Sequence, residues 1–191
     1  MHYLIASKAA AGLLPAGCRV IADGEMASFE LPWTLGAPLV ARMDDLADLP
    51  ALRSKLGAAG LKAFAVEGVA EPGAGQALLV GGHIMRDMQG FGPYAAAVPA
   101  VVKSFGGRFL ARGGTVTPVA GSFVPQRVVV TEYADVETAL AWYTSDAYAP
   151  LLKIRLATTE ARLVIMARSG VLPAAMRETA AAYARAAASS Q

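Results

Sequence analysis

The feature that most limits how this chain can fold is a Pro/Gly-rich break near its middle, Glu71-Pro72-Gly73-Ala74-Gly75-Gln76. A helix or a strand interior tolerates such a run poorly, because proline lacks an amide donor and glycine loses much conformational freedom on ordering. We therefore divide the chain into a first half, 1–71, a second half, 76–170, and a C-terminal segment, 171–191. The break predicts two small units rather than one continuous domain.

The second half alternates strand and helix patterns. The predicted elements are a strand over 77–85, a helix over 93–105, strands over 108–112 and 127–133, a helix capped by Asp135 and a strand over 162–167. A loop is predicted between the second and third strands. The order βαββαβ is that of the ferredoxin-like fold, in which both helices cover one face of an antiparallel sheet. The other face then needs a separate cover.

The first half repeats this pattern in shortened form. Without gaps, Arg19 aligns with Arg108, Ala22 with Ala111 and Gly24 with Gly113. Segments 3–7, 38–42 and 62–66 parallel the first, third and fourth strands, and the first helix is reduced to about 8–14. Two units with one uncovered face each bury those faces against each other. We therefore predict an α+β fold of tandem ferredoxin-like halves, packed sheet to sheet as an intrachain dimeric α/β barrel, with a C-terminal Ala-rich helix. The alternative is an unrelated small N-terminal domain.

Several motifs of the second half occur together at characteristic spacing. They are Tyr94-Ala95-Ala96-Ala97-Val98-Pro99, Phe105-Gly106-Gly107-Arg108-Phe109-Leu110-Ala111-Arg112-Gly113-Gly114, Pro125-Gln126-Arg127 and Ala141-Trp142-Tyr143-Thr144-Ser145-Asp146-Ala147-Tyr148. Over about residues 78–168 the chain resembles the DUF1330 family of dimeric α/β-barrel proteins. The resemblance implies ferredoxin-like domains that pair sheet to sheet, so that a fused repeat corresponds to one such dimer within a single chain. The function of the family is undefined, and the degenerate first half implies one competent pocket.

Composition excludes several classes of protein. The net charge is +2 with Lys and Arg scattered along the chain, which argues against a nucleic-acid partner. No apolar run approaches the roughly 20 residues of a membrane helix, and the N-terminus lacks the pattern of an export signal. The single cysteine, Cys18, excludes an intrachain disulfide. We expect a cytoplasmic protein with no membrane partner.

Two residues are predicted to be catalytic. Alternation along the third strand puts Val128, Val130 and Glu132 on one face and the residues between them on the other. A buried Glu132 needs a cationic partner, and Arg108 and Arg112 are expected on a common face of the neighbouring strand. His83 lies late on the first strand, where it can act as a general base. The alternatives are an ordinary salt bridge for Glu132 and a structural, hydrogen-bonded role for His83.

Five further residues are predicted to bind substrate: Arg108, Arg112, Tyr143, Tyr148 and Arg155. The tyrosines equally fit a core or interface, and Arg155 equally fits a helix cap. No metal or cofactor is predicted, because two isolated histidines and one cysteine make a poor ligand set. A G-x-G-x-x-A stretch over 90–95 lacks the βαβ setting of a nucleotide site.

These residues lead to three functional hypotheses. The first is a cofactor-independent, isomerase- or lyase-like enzyme that transfers a proton on a small, carboxylated or enolisable metabolite in the barrel pocket. The alternative is a non-catalytic small-molecule binding or regulatory protein of the α/β-barrel class. A third is an assembly protein that uses its C-terminal helix. A small-molecule ligand and a homodimer of the two-half chain are the expected partners.

Overall fold

The computed structural model describes residues 1–33 and 35–188, which form two antiparallel five-stranded sheets and six helices. The strands are β1 His2–Ser7, β2 Cys18–Ala22, β3 Met26–Ser28, β4 Pro38–Met43, β5 Ala63–Glu67, β6 Ala77–Met85, β7 Arg108–Arg112, β8 Val116–Ala120, β9 Arg127–Tyr133 and β10 Thr159–Ala167. The helices are a 3₁₀ helix Lys8–Leu13, α1 Leu49–Ala58, α2 Gly92–Ser104, α3 Val136–Tyr143, α4 Ala149–Thr158 and α5 Ala174–Ala188. The mixed α+β class is confirmed.

Each sheet takes four strands from one half of the chain and one strand from the other. The strand order is β2-β4-β1-β5-β8 in the first sheet and β3-β10-β6-β9-β7 in the second. Strand β3, from the first half, pairs with β10, and strand β8, from the second half, pairs with β5. The two halves therefore exchange one strand each.

The exchanged strands lie outside the sequence-based prediction. We predicted a loop between β7 and β9, and that is wrong for β8, which pairs with β5 from Val116 to Ala120. Proline at position 118 favoured a loop, but β8 is an edge strand, and an edge strand tolerates a residue without an amide donor. Strand β3 has only three residues, too few for a clear alternation.

Apolar side chains from both sheets fill the layer between them. Strand alternation places every second residue of β6, β9 and β10 here, facing the equivalent residues of β1, β4 and β5. The fully buried members include Tyr3, Ile5, Val40, Phe64, Val66, Leu78, Val80, Val128, Val130, Val164 and Met166. Trp33, from the loop after β3, packs beside Gly82, where an added Cβ would lie 3.2 Å from the indole. The sheets thus share one hydrophobic core.

Helices cover the outer face of each sheet. The 3₁₀ helix and α1 pack on the first sheet, and α2 to α5 pack on the second. The predicted start of α3 is confirmed, since the Asp135 carboxylate accepts a hydrogen bond from the Thr138 amide at 2.7 Å. Helix α2 continues through Pro99, and α4 was not predicted. No helix among the described residues is both long and apolar enough to cross a bilayer.

The shared core makes a prediction about stability. Phe64 is fully buried between the sheets and stacks on Trp33 at 6.0 Å between ring centroids. We expect Phe64→Ala to lower the free energy of unfolding by about 3–5 kcal/mol, because it removes buried contacts and leaves a cavity. Val20 in β2 is 41% exposed, so Val20→Ala is the matched control and should change stability by about 0.5 kcal/mol or less. Urea titration of both variants measures the difference, and equal losses would contradict a shared inter-sheet core.

Candidate functional site

The two faces of the second sheet separate the predicted site residues. Along β9, Val128 and Val130 face the first sheet, whereas Tyr133 packs with the helices, so the predicted alternation is confirmed. Glu132 lies opposite Leu78 of β6, on the inter-sheet side. His83 falls on the helix side. The predicted catalytic residues therefore lie on opposite faces of the sheet.

The prediction that Arg108 and Arg112 share a face is wrong. The register between β7 and β9 shifts between Phe109 and Ala111, which places a β-bulge in the middle of β7. Arg108 lies opposite Glu132, whereas Arg112 points to the helix side and donates a hydrogen bond to the Ala95 carbonyl of α2 at 2.8 Å. Because of this one inserted residue, the two arginines lie on opposite faces of the sheet.

The Glu132 carboxylate binds the segment that joins the two halves. Arg108 Nη2 donates to its Oε2 at 2.7 Å, Arg168 Nη2 donates to its Oε1 at 3.1 Å, and the Gly73 amide contacts both oxygens at 2.9 and 3.1 Å. The predicted ion pair with arginine is confirmed. An added Cβ on Gly75 would lie 2.5 Å from Glu132 Cγ, so the linker glycines give this carboxylate room. With donors on both oxygens, the geometry favours a structural role.

A second charge cluster is fully buried on the helix side of the second sheet. Arg155 of α4 and Glu30, from the loop after β3, are 0% and 2% exposed. Arg155 Nη1 donates to Glu30 Oε2 at 2.9 Å, Nη2 donates to Glu30 Oε1, and Nε donates to the Tyr148 hydroxyl at 2.9 Å. The Tyr143 hydroxyl donates to Glu30 Oε1 at 3.0 Å. Three of the predicted substrate-binding residues, Tyr143, Tyr148 and Arg155, therefore meet in one network.

Sequence reasoning missed Glu30, the centre of this network. It belongs to the first half, more than a hundred residues from Arg155 in the sequence, and it reaches the second sheet because β3 is exchanged. A usable signal was present, since Glu30 is an isolated acid beside Phe29 and near Trp33. A buried carboxylate in such a setting requires a cationic partner.

The tyrosines around this network are neutral. Burial raises the pKa of Tyr94, Tyr143 and Tyr148 above the usual range of a phenol. The charges of Glu30 and Arg155 compensate each other, so the cluster carries no net charge. It can position neighbouring groups without itself attracting an ion.

His83 is a buried histidine whose ring makes no hydrogen bond of good geometry. The residue is 3% exposed, and neither Nδ1 nor Nε2 has a partner. Burial, followed by the charge of Arg155, lowers the pKa of His83 to about 3, and a weak interaction with the backbone of Arg127 only partly opposes this. The imidazole is therefore neutral near pH 7, with one ring nitrogen free to donate and the other free to accept.

The His83 ring forms part of the wall of a cavity between the second sheet and helices α2 and α3. The remaining lining residues are Leu79, Gly81, Tyr94, Val98, Val102, Phe109, Val129, Thr131, Trp142 and Leu163. The cavity, together with the open space at its mouth, has a volume of about 300 Å³. Only about 20 Å³ of this is available to the centre of a water molecule. That space accepts one water. Gly81 maintains it, because an added Cβ would lie 3.0 Å from the His83 ring.

A second residue that lines the same cavity has a polar group without a partner. Trp142 of α3 is 2% exposed, and its indole Nε1 makes no hydrogen bond. A buried polar group without a partner is costly, and a bound water or a polar ligand would satisfy such a group. Within the described residues, no three His, Cys, Asp or Glu side chains are grouped as a metal ion requires.

The fold and this cavity define a protein of two antiparallel sheets with a candidate small-molecule site beneath the helices of its second sheet. Residues 76–169 match the family model described as Domain of unknown function (DUF1330). The second half of the chain therefore belongs to the DUF1330 family, as the motifs predicted. A search of the curated proteins found no match.

The buried ion pair makes a prediction about stability. In Glu30→Gln the Arg155 guanidinium stays buried without a counter-charge, and we expect a loss of about 3–5 kcal/mol in the free energy of unfolding. The control is Glu71→Gln, which breaks the exposed pair with Arg42 and should cost about 1 kcal/mol or less. The double variant Glu30→Leu/Arg155→Met removes both charges and should recover much of the loss. Chemical denaturation measures all three, and a Glu30→Gln cost equal to the control would contradict this account.

The buried imidazole makes a prediction about pH. In the folded protein the pKa of His83 is about 3, whereas an unfolded histidine titrates near 6.5, so between these values the unfolded state binds more protons. The free energy of unfolding should therefore fall as the pH decreases from about 6.5 to about 3, with a contribution from His83 of roughly 4–5 kcal/mol. Urea titrations of wild type and His83→Leu across this range isolate the effect, because the carboxylates and His2 are common to both. Parallel curves for the two proteins would contradict it.

Proposed function

We propose that the two halves are tandem ferredoxin-like units that form one α/β barrel within the chain. Support comes from strand order, since β10-β6-β9-β7 places the four strands of the second half as fourth, first, third and second. The order β5-β1-β4-β2 gives the same arrangement for the first half. Each unit then receives one edge strand from the other.

Only the second unit carries the residues of the candidate site. We take Ile5 of β1, which lies opposite Phe64 of β5, as the counterpart of Val80 of β6, which lies opposite Val164 of β10. Three residues further on, His83 corresponds to Lys8, which is exposed. Helix α4, which carries Arg155, has no counterpart between α1 and β5. We therefore expect one site per chain.

We further propose that this site belongs to a cofactor-independent enzyme that transfers a proton on a small, carboxylated or enolisable metabolite. The observation that carries the proposal is His83, a neutral imidazole at a cavity wall whose ring nitrogens make no protein hydrogen bond of good geometry. Because the inter-sheet layer is filled by apolar side chains, we place the site beneath the helices. Glu132, on the opposite face, then supports the linker rather than the reaction.

The proposed step conserves atoms and charge. The neutral His83 accepts a proton from the carbon beside a carbonyl group, which leaves an enolate and an imidazolium. The Trp142 indole N–H, on the same cavity wall, can donate a hydrogen bond to the enolate oxygen. The imidazolium then returns the proton to a different carbon or to oxygen, so no metal or redox partner takes part in the step.

A second candidate is a non-catalytic small-molecule binding protein. The pKa of about 3 favours it, since an imidazole that holds protons so weakly is a poor base in the empty site. Proton transfer then requires the bound ligand to raise the basicity of His83, whereas simple binding does not. The two candidates differ in whether ligand protons exchange.

Exchange in D₂O distinguishes the two candidates. The protein is incubated with acetoacetate, pyruvate and acetone, and NMR records replacement of C–H by C–D relative to buffer. The enzyme proposal predicts exchange with at least one compound, and a decrease of about 100-fold or more in His83→Gln, as for loss of a general base. Lys8→Gln, at the corresponding position of the first half, is the control and should exchange at the wild-type rate.

The outcomes have distinct meanings. Binding of a compound without exchange contradicts the enzyme and supports the binding protein. Exchange that His83→Gln does not reduce contradicts the role of His83. A cytoplasmic location and a homodimer of the two-half chain stay predictions, which fractionation and light scattering check.

A further inference from the structure

Two arginines lie beside His83 on the outer face of the second sheet. Arg127 of β9 is directly opposite His83 of β6 in the strand ladder. Arg112 of β7 is opposite Val129, two residues from Arg127, so the two arginines are diagonal neighbours within reach of each other. His83 and Val129, the ladder partners of these arginines, both line the cavity. The two arginines therefore lie next to two of the residues that line the cavity.

Neither arginine has a carboxylate partner in the part of the chain that the structure describes. The Arg127 guanidinium lies over the Phe91 ring at 5.5 Å, and Arg112 lies over Phe109 at 5.3 Å and donates only to a backbone carbonyl. Arg155, in contrast, forms an ion pair with Glu30, which compensates its charge. The positive charge at this end of the cavity is thus uncompensated.

The turn after β7 passes close to the Arg127 guanidinium. Gly113 has φ of +74°, and a Cβ there would lie 2.5 Å from Arg127 Nη1. Any other residue at position 113 would be strained and would displace Arg127. Partial burial and then the charge of Arg112 lower the pKa of Arg127. The fold therefore holds two positive charges near each other, and a bound anion would reduce the repulsion between them.

We propose that Arg112 and Arg127 bind the carboxylate of the substrate at the cavity mouth, so that the substrate class is small carboxylates whose carbon chain lies beside His83. This inference rests on the proposed function and specifies its ligand. The planar guanidinium fork matches a carboxylate, and the cavity, which has room for one water in this structure, must widen to admit the carbon chain of the ligand.

The same contact also makes His83 more basic, although burial and the charge of Arg155 lower its pKa more than Arg127 does. The positive charge of Arg127 is one of the causes that lower the pKa of His83 in the empty site. A carboxylate on Arg127 offsets that charge and raises the affinity of the imidazole for a proton. Binding of the anion and activation of His83 are thereby coupled.

The test compares two ligands of nearly equal shape that differ in charge, acetoacetate and acetoacetamide. Each is titrated into ¹⁵N-labelled protein while NMR follows the Trp142 Nε1–H and the His83 ring. We expect acetoacetate to bind at least tenfold more tightly than the amide, and Arg127→Gln to remove that preference. Arg127→Lys should retain part of it, and Arg19→Gln, an exposed arginine on β2, should retain all of it. Thermal denaturation establishes that each variant is folded.

The possible failures are distinguishable. If the amide binds as tightly as acetoacetate, or if Arg127→Gln keeps the preference, Arg112 and Arg127 do not bind the carboxylate. The cavity is then still a small-molecule site. If neither compound changes the NMR signals of Trp142 or His83, the cavity is not a small-molecule site. Both the proposed function and the role of the two arginines are then wrong.

Discussion

Burial of one apolar face of each sheet against the other is the constraint on which the rest of this molecule depends. Neither sheet has enough helices to cover both of its faces, so each needs the other to remove its Val, Ile and Leu side chains from water. That packing fills the interior, and the candidate site must then form elsewhere. It forms where the second sheet meets α2 and α3, beside the buried pair of Arg155 and Glu30.

The site combines groups that need a dry environment. Glu30 and Arg155 attract each other strongly because water is excluded, and the same exclusion keeps His83 and the neighbouring tyrosines neutral. Glu30 comes from the first half, so the site is complete only when both halves are packed. The first half thus supplies the carboxylate that neutralises Arg155 beside the candidate site.

Much of the second half could be predicted from its sequence. The strand Ala77–Met85, the cap at Asp135, the face of Glu132 and the pairing with Arg108 follow from period-two alternation and local hydrogen bonding. The β-bulge in β7 could not be predicted in this way, because one inserted residue leaves no clear mark on composition yet reverses the face of Arg112. The contact between Glu30 and Arg155 depends on how two distant segments cross, which local pattern does not determine.

The exchange of β3 and β8 also determines what happens if the chain is cut. A break at the Gly73 linker would leave each fragment without the edge strand that the other carries, and with an apolar sheet face exposed. Neither fragment would be a self-sufficient domain, although the family match covers only one of them. Together they are complementary pieces, and reassociation restores both edges and the core at once. The two halves therefore form one structural unit, in which each half supplies a strand and a sheet face that the other needs.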